Sequence, residues 1–530
     1  MTNRYLYLTL MAMLSWHAEA LAQQSSPQAQ AQEKIKYAPR LVVSIAIDQL
    51  RTDYLEAFAP LYGSDGFKKL LAKGLVYENA SYPYSNTDRA SAIASLATGV
   101  SPYYHSIIGE RWLSKETLRP VSCTDDPRQQ GGAPGPQQIQ VSTLGDELKA
   151  ATRGLAKVFA IAPQQDAAIL SAGHAADGAL WLDTSTGLWT TSTYYLPSIP
   201  SWALTFNELH APAKTPSKLL WEPVFPLAGT FNYYQHVGDI KPFSLSLKSE
   251  RKFIEYQNSG LINQDVTDLS LQCITNQAMG FDRVTDLLCI TYYAGTFDHK
   301  PVSECQMELQ DTYVRIDREL NRLIKAVESK IGAEHVVFVI TSTGYSEEES
   351  ADYAAYRIPT GTFPMDRNAN LLNMYFGAIW GQGSYVETCF KNQIYLNHKM
   401  LTSKRLSLTD AGRRAQEFLS QLEGVRNVHT ALGLLSSQNP QTEKIRNGFH
   451  PEHNGDILIE VAPGWRLTND NTRESYVSRA AFTQFPLIFY GTGMPAERIK
   501  TPVTIDRIAP TIAKTIRIRA PNACSAEPLF

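Results

Sequence analysis

Asp48 ends an apolar run, "RLVVSIAIDQLR" from Arg40 to Arg51. Further on, a polar turn, Ser85-Asn86-Thr87-Asp88, leads into a small-residue helix, Ala90 to Ala97, which Thr98-Gly99 closes. A carboxylate at a strand end can hold a cation, and the free N–H groups of a helix N-terminus can receive an anion. A hydroxyl at the helix entrance would add a nucleophile. Arg89 stands there instead. Thr87 and Ser91 are the hydroxyls on either side of it. Their ordinary roles are a helix N-cap and a small first-turn residue.

Three other groupings have residue types suited to chemistry. Asp298-His299 in "AGTFDHKP" and the acidic "EEES", Glu347 to Ser350, read as solvated turns or loops. "HPEH", His450 to His453, has an i, i+3 histidine pair interrupted by Pro451 and also reads as a turn. Six cysteines, at 123, 273, 289, 305, 389 and 524, form no CxxC pair, so nothing points to a zinc ribbon. Their spacing leaves disulfides and isolated thiols both open.

Buried strands must position these residues. The run ending at Asp48 suits a parallel strand covered on both faces, with the carboxylate at the edge where open α/β sheets place their sites. "AKVFAIA", "DLLCITYY", "HVVFVITST", "GDILIEV" and "FPLIFYG" read as further strands of this kind. "GFKKLLAKG" predicts a helix capped by Gly74, and "QDTYVRIDRELNRLIKAVESK" a helix feeding the next strand. Strands alternating with helices predict a doubly wound α/β fold. The stretch 166–252 is rich in Trp, Tyr, Pro, Ser and Thr and predicts an inserted cap over the carboxyl edge. Its Trp181, Trp189, Tyr194, Tyr195 and Trp202 would suit a recognition surface. A polar, turn-rich region is expected over about 347–374.

The first 22 residues read as a secretory signal: Arg4, the apolar "YLYLTLMAML", then a small-residue cleavage site at Ala20-Leu21-Ala22. Residues 23–39 read as a flexible linker and 40–530 as the folded domain. Export to a bacterial periplasm is expected, without a membrane-spanning segment. The net charge of -3 gives no reason to expect nucleic-acid binding.

In this order, "VVSIAIDQLRTDYL", "LATGVSPYYHSIIGERW", "ILSAGHAADGALWLDTSTGLWTTSTYY", "GDILIEVAPGW" and "TPVTIDRIAPTIAKTIRIRAPNACS" resemble the alkaline phosphatase superfamily. The likeness is to PafA-type periplasmic phosphomonoesterases and to the nearby nucleotide pyrophosphatase/phosphodiesterases. It implies an α/β/α sandwich with a central, mostly parallel sheet and a cap. It also implies two zinc ions that activate a Thr or Ser nucleophile and clamp a phosphoryl group.

Carried over residue by residue, the resemblance predicts a site stripped of its chemistry. The first metal ligand is kept as Asp48. The nucleophile position holds Arg89. The Asp-x-x-x-His positions hold Thr296 and Lys300, and the Asp-His dipeptide becomes Thr343-Gly344. The final histidine position holds Gln484 or Phe485. The phosphate-contacting cations become Gln164 and Asp166, the latter repulsive to a dianion. Glu110-Arg111 stand where the family tends to carry Asn. Arg89 is expected to reach Asp48 in place of a metal. The expected function is a pseudoenzyme, an exported binding or scaffold protein with an unidentified protein or small-molecule partner in the cell envelope. No cofactor is expected. The alternative is an active zinc-dependent phosphomonoesterase or phosphodiesterase with two zinc ions in a rearranged site, drawing on Asp48, Asp298 and His299. A structural subunit of an envelope assembly is a third reading.

Overall fold

A computed structural model describes residues 38–126, 128, 132–225, 243–346, 356–472, 474–477 and 484–530. The segments read as signal peptide and most of the linker, and the "EEES" loop, lie outside them.

The core is a ten-stranded sheet. From one edge its strands run Glu497–Ile499, Leu75–Ser81, Phe485–Gly491, Val336–Ser342, Leu41–Asp48, Asp286–Tyr293, Val158–Ile161, Gly178–Asp183 and Leu188–Thr190, with Val503–Thr504 also on Leu75–Ser81. The central strands are parallel, and Leu41–Asp48 lies between Val336–Ser342 and Asp286–Tyr293. Asp48 is therefore at a carboxyl end in the middle of the sheet, as expected. Phe485–Gly491 runs antiparallel to both neighbours. Apolar runs report burial and leave strand direction undetermined.

Alternation along the first strand builds two layers. Leu41, Val43, Ile45 and Ile47 face one core, which includes Tyr313, Ile316, Leu320 and Leu323 of the helix Gln306–Ile331. Ala46 faces the other way, into a core shared with Ala90, Ile93 and Ala94. Small side chains on both partners let the helix Arg89–Thr98 pack closely against the helix Gln165–Ala172, whose Ala167, Ala168 and Ala172 share that core. The helix Arg89–Thr98 begins in a capping box. Asp88 accepts from the Ser91 N–H at 2.9 Å, and the Asp88 N–H donates to Ser91 Oγ at 3.0 Å. It ends at Gly99, whose φ of 70° suits the left-handed turn of a C-cap.

Gly74 caps its helix as expected, in extended conformation, and a Cβ there would meet the Leu70 carbonyl oxygen at 2.6 Å. Three expectations are corrected. The run Ile457–Val461 is no strand of the central sheet. It pairs antiparallel with Gln393–Leu396 and Val425–Thr430 in a separate four-stranded sheet with its own apolar core. The region 347–374 is only in part irregular, since Met365–Trp380 is a helix. The stretch 166–252 does not begin as a cap. Its helix Gln165–Ala172 and the strands Gly178–Asp183 and Leu188–Thr190 complete the central layers. Trp181, Trp189 and Trp202 are buried there, and Tyr194 and Tyr195 are half-buried with their hydroxyls on the carbonyls of His174 and Gly173. Packing, rather than display, accounts for these aromatics.

All six cysteines are free thiols.

Candidate functional site

The site lies where the first strand ends and the helix Arg89–Thr98 begins. Arg89 occupies the helix entrance and is almost buried. Its Nε lies 3.1 and 3.0 Å from the two carboxylate oxygens of Asp166. One Nη is 2.9 Å from Glu110 Oε1, and the other is 3.7 Å from Asp48 Oδ2. The expected Arg89–Asp48 pairing is present, but it is the longest of three. Asp166 takes the Nε–H on both of its oxygens, and each Nη faces a different carboxylate.

Each partner is placed by local structure. Asp166 sits in the first turn of Gln165–Ala172, where a carboxylate favours the helix dipole. The Glu110 N–H donates to Asp88 Oδ2 at 2.9 Å, so the cap of the site helix also holds the Glu110 segment. Asp48 is fully buried. Its Oδ1 accepts from the Thr343 hydroxyl at 2.8 Å, and the Tyr345 hydroxyl stands 3.5 Å from Oδ2. Thr343 Oγ1 in turn accepts from the Gln49 N–H at 2.9 Å, which fixes the hydroxyl's direction.

Burial works against the Arg89 charge, but Asp166, Glu110, Tyr345 and Asp48 together hold its pKa well above the ordinary value. Burial pushes the Asp166 carboxyl up, Arg89 pulls against this and Glu110 adds to it. One cation thus faces three carboxyl groups.

The other predicted positions divide. Thr343 joins the cluster. Gly344 has a φ of 69°, and a Cβ there would stand 2.6 Å from the Tyr82 ring and 2.7 Å from Phe485. Gln164 is buried with both amide atoms unpartnered among the described residues. Thr296 is buried, and its carbonyl accepts from the Tyr293 hydroxyl at 2.7 Å. Lys300 is exposed, its ammonium 4.9 Å from the centroid of Phe297. Gln484 is exposed, and its carbonyl accepts from the Thr52 N–H at 2.9 Å. Asp298 pairs with Arg251 at 3.1 Å and His299 is exposed, so this dipeptide forms a surface turn. Thr87 and Ser91 are both buried, and Ser91 is committed to the capping box. The N-cap is Asp88 rather than Thr87.

Sequence reasoning missed Tyr345 and the role of Glu110. It also missed a buried chain behind the helix, in which Ser95 Oγ lies 2.9 Å from His105 Nε2 and 3.0 Å from the Tyr84 hydroxyl. His105 Nδ1 accepts from the Ile107 N–H at 3.1 Å, so the ring proton is on Nε2. The imidazole thus donates to Ser95 and is no base for it.

A two-zinc cluster does not fit these residues. A guanidinium stands against Asp48, a threonine hydroxyl donates to that same carboxylate, and Gly344 has no donor or room for one. Among the described residues no helix is long and apolar enough to cross a membrane.

The fold and chain are shared with known proteins. Alkaline phosphatase PafA of Elizabethkingia meningoseptica is 27% identical over 93% of this chain and 94% of its own. Alkaline phosphatase PhoV of Synechococcus elongatus is 25% identical over 98% of each. The crystal structure of wild-type alkaline phosphatase PafA superposes with a TM-score of 0.79 at 26% identity, covering 93% of this chain and 98% of that one. Residues 42–482 match the model of the type I phosphodiesterase / nucleotide pyrophosphatase family. The chain belongs to that family, as a PafA-like member of the alkaline phosphatase superfamily.

Proposed function

We propose that this chain is a pseudoenzyme of its family, exported to the periplasm, that serves as a binding or scaffold protein. One observation carries the reading: the Arg89 guanidinium occupies the helix entrance and is paired with Asp48, Glu110 and Asp166. This ion cluster stabilises the cleft without metal. Thr343, Gly344, Thr296, Lys300 and Gln484 stand where the family resemblance puts metal ligands. None of them supplies a carboxylate or imidazole. Gln164 and Asp166 stand where it puts phosphate-contacting cations.

The relatives named alkaline phosphatases favour the opposite reading, an active phosphoric ester hydrolase. That reading needs a nucleophile, and Thr87 and Ser91 are both buried.

The two readings separate in one assay, hydrolysis of an aryl phosphate by the purified chain with zinc added and then chelated. We expect no chelator-sensitive turnover, and none lost in Asp48→Asn. Turnover abolished both by chelator and by Asp48→Asn would overturn the pseudoenzyme reading.

A further inference from the structure

The "HPEH" segment behaves differently from the cleft. It forms a tight turn between the helix Pro440–Asn447 and the strand Ile457–Val461. The His450 N–H donates to Asn454 Oδ1 at 2.7 Å, and the N–H groups of Asn454 and His453 donate to the His450 carbonyl at 2.9 and 3.2 Å. These bonds fix the turn. One ligand atom each from His450, Glu452 and His453 lies within 4.8 Å of the others. Pro451, which argued for a bland turn in the sequence, lies within this turn between the two histidines.

The two imidazoles are prepared in different ways. His453 Nδ1 donates to the Ser106 carbonyl at 2.8 Å, and a carbonyl only accepts, so Nε2 carries the free lone pair. The ring is stacked on Trp112, 4.5 Å between centroids and 13° between planes. A backbone carbonyl fixing the far nitrogen is the usual support of a metal-bound histidine. His450 is 6% exposed, and its buried Nδ1 has no hydrogen-bond partner among the described residues. A buried ring nitrogen left without a partner costs stability unless something else satisfies it.

We propose that His450, Glu452 and His453 form a zinc site that shares no residue with the Asp48 cleft. Two imidazoles and one carboxylate suit zinc better than magnesium or calcium, which take oxygen ligands. Three protein ligands leave a position for water. Bound there, zinc would clamp the turn that enters the smaller sheet to the Ser106 segment that follows the site helix. Lys115 opposes it, because its ammonium donates to the Pro451 carbonyl at 2.7 Å.

The test is titration of the chelator-treated full chain with zinc chloride by calorimetry, with cobalt(II) absorption as a second readout. One zinc should bind. Glu452→Gln, at an exposed position that leaves the fold intact, and His453→Gln should each weaken binding roughly tenfold or more. Both should also change the cobalt spectrum. Asp48→Asn should leave binding unchanged, and Lys115→Met should tighten it. The proposal fails if the wild-type chain binds no zinc, or if Glu452→Gln and His453→Gln bind as the wild type does. It also fails if Asp48→Asn abolishes the only zinc bound, which would place the ion in the cleft.

Discussion

At the scale of single residues, Arg89 is the centre of charge in the cleft. Removing it takes the cation away from the buried Asp166 carboxylate. Breaking a buried ion pair from one side costs about 3–5 kcal/mol, because an uncompensated charge remains. Arg89→Met should lose stability of that order in urea denaturation. Arg89→Met with Asp166→Leu should recover part of it, with a coupling of at least about 1 kcal/mol in a double-mutant cycle. Additive losses would show that the pair carries no energy.

His105 gives a pH prediction. Burial is the largest cause that lowers its pKa, from 6.5 to about 3, and nearby His450 adds to the drop. As pH falls below 6.5 the unfolded chain takes up the proton first. The contribution is therefore complete above 6.5 and is lost as pH falls toward about 3. The slope is about 1.4 kcal/mol per pH unit within that window. In metal-free buffer His105→Gln should show a shallower acid loss than the wild type. Parallel curves would mean that His105 is not held neutral.

At the scale of elements, the end of the strand Val336–Ser342 is shaped by its neighbours. Gly344 adopts a left-handed φ, and its missing Cβ is the space taken by Tyr82 and Phe485. Gly344→Ala should cost about 2–5 kcal/mol, combining left-handed strain with overpacking. Gly154, with a φ of 82° and nothing within 4 Å of its Cβ position, is the control. Gly154→Ala should cost only about 1–2 kcal/mol. Thermal or urea melts of the two variants give the difference, and equal losses would remove packing from the explanation. A histidine at position 344 meets the same collision. Rebuilding a metal-ligand pair here therefore requires moving Tyr82 and Phe485, beyond changing Thr343 and Gly344 alone.

At the scale of the whole molecule, the segment after Leu188–Thr190 is tied to the long helix through Asp311. This carboxylate accepts from Trp221 Nε1, the Val224 N–H and Arg315 Nε, each at 2.6 Å. Asp311→Ala would leave three donors without their acceptor, two of them on that segment. We expect a loss of about 2–4 kcal/mol. Hydrogen exchange should rise around residues 219–224 and stay slow in Leu41–Asp48. Uniform acceleration throughout the chain would mean that the segment and the sheet open together.

The sequence by itself determined the alternating strands and helices, Asp48 at a strand's end, the capped helix after it and the absence of a carboxylate or imidazole at Arg89, Thr343 and Gly344. These follow from local causes: apolar periodicity, capping chemistry and residue type at a position. Only the tertiary structure decided which strands share a sheet. "GDILIEV" and "HVVFVITST" are alike as apolar runs, yet they lie in different sheets. It alone chose Asp166 and Glu110 over Asp48 as the nearer partners of Arg89, and it alone brought Glu452 toward two histidines of one turn. Pairing depends on distances between segments far apart in the chain, set by how whole layers pack, and a hydrophobic pattern records that a face is buried without recording what buries it.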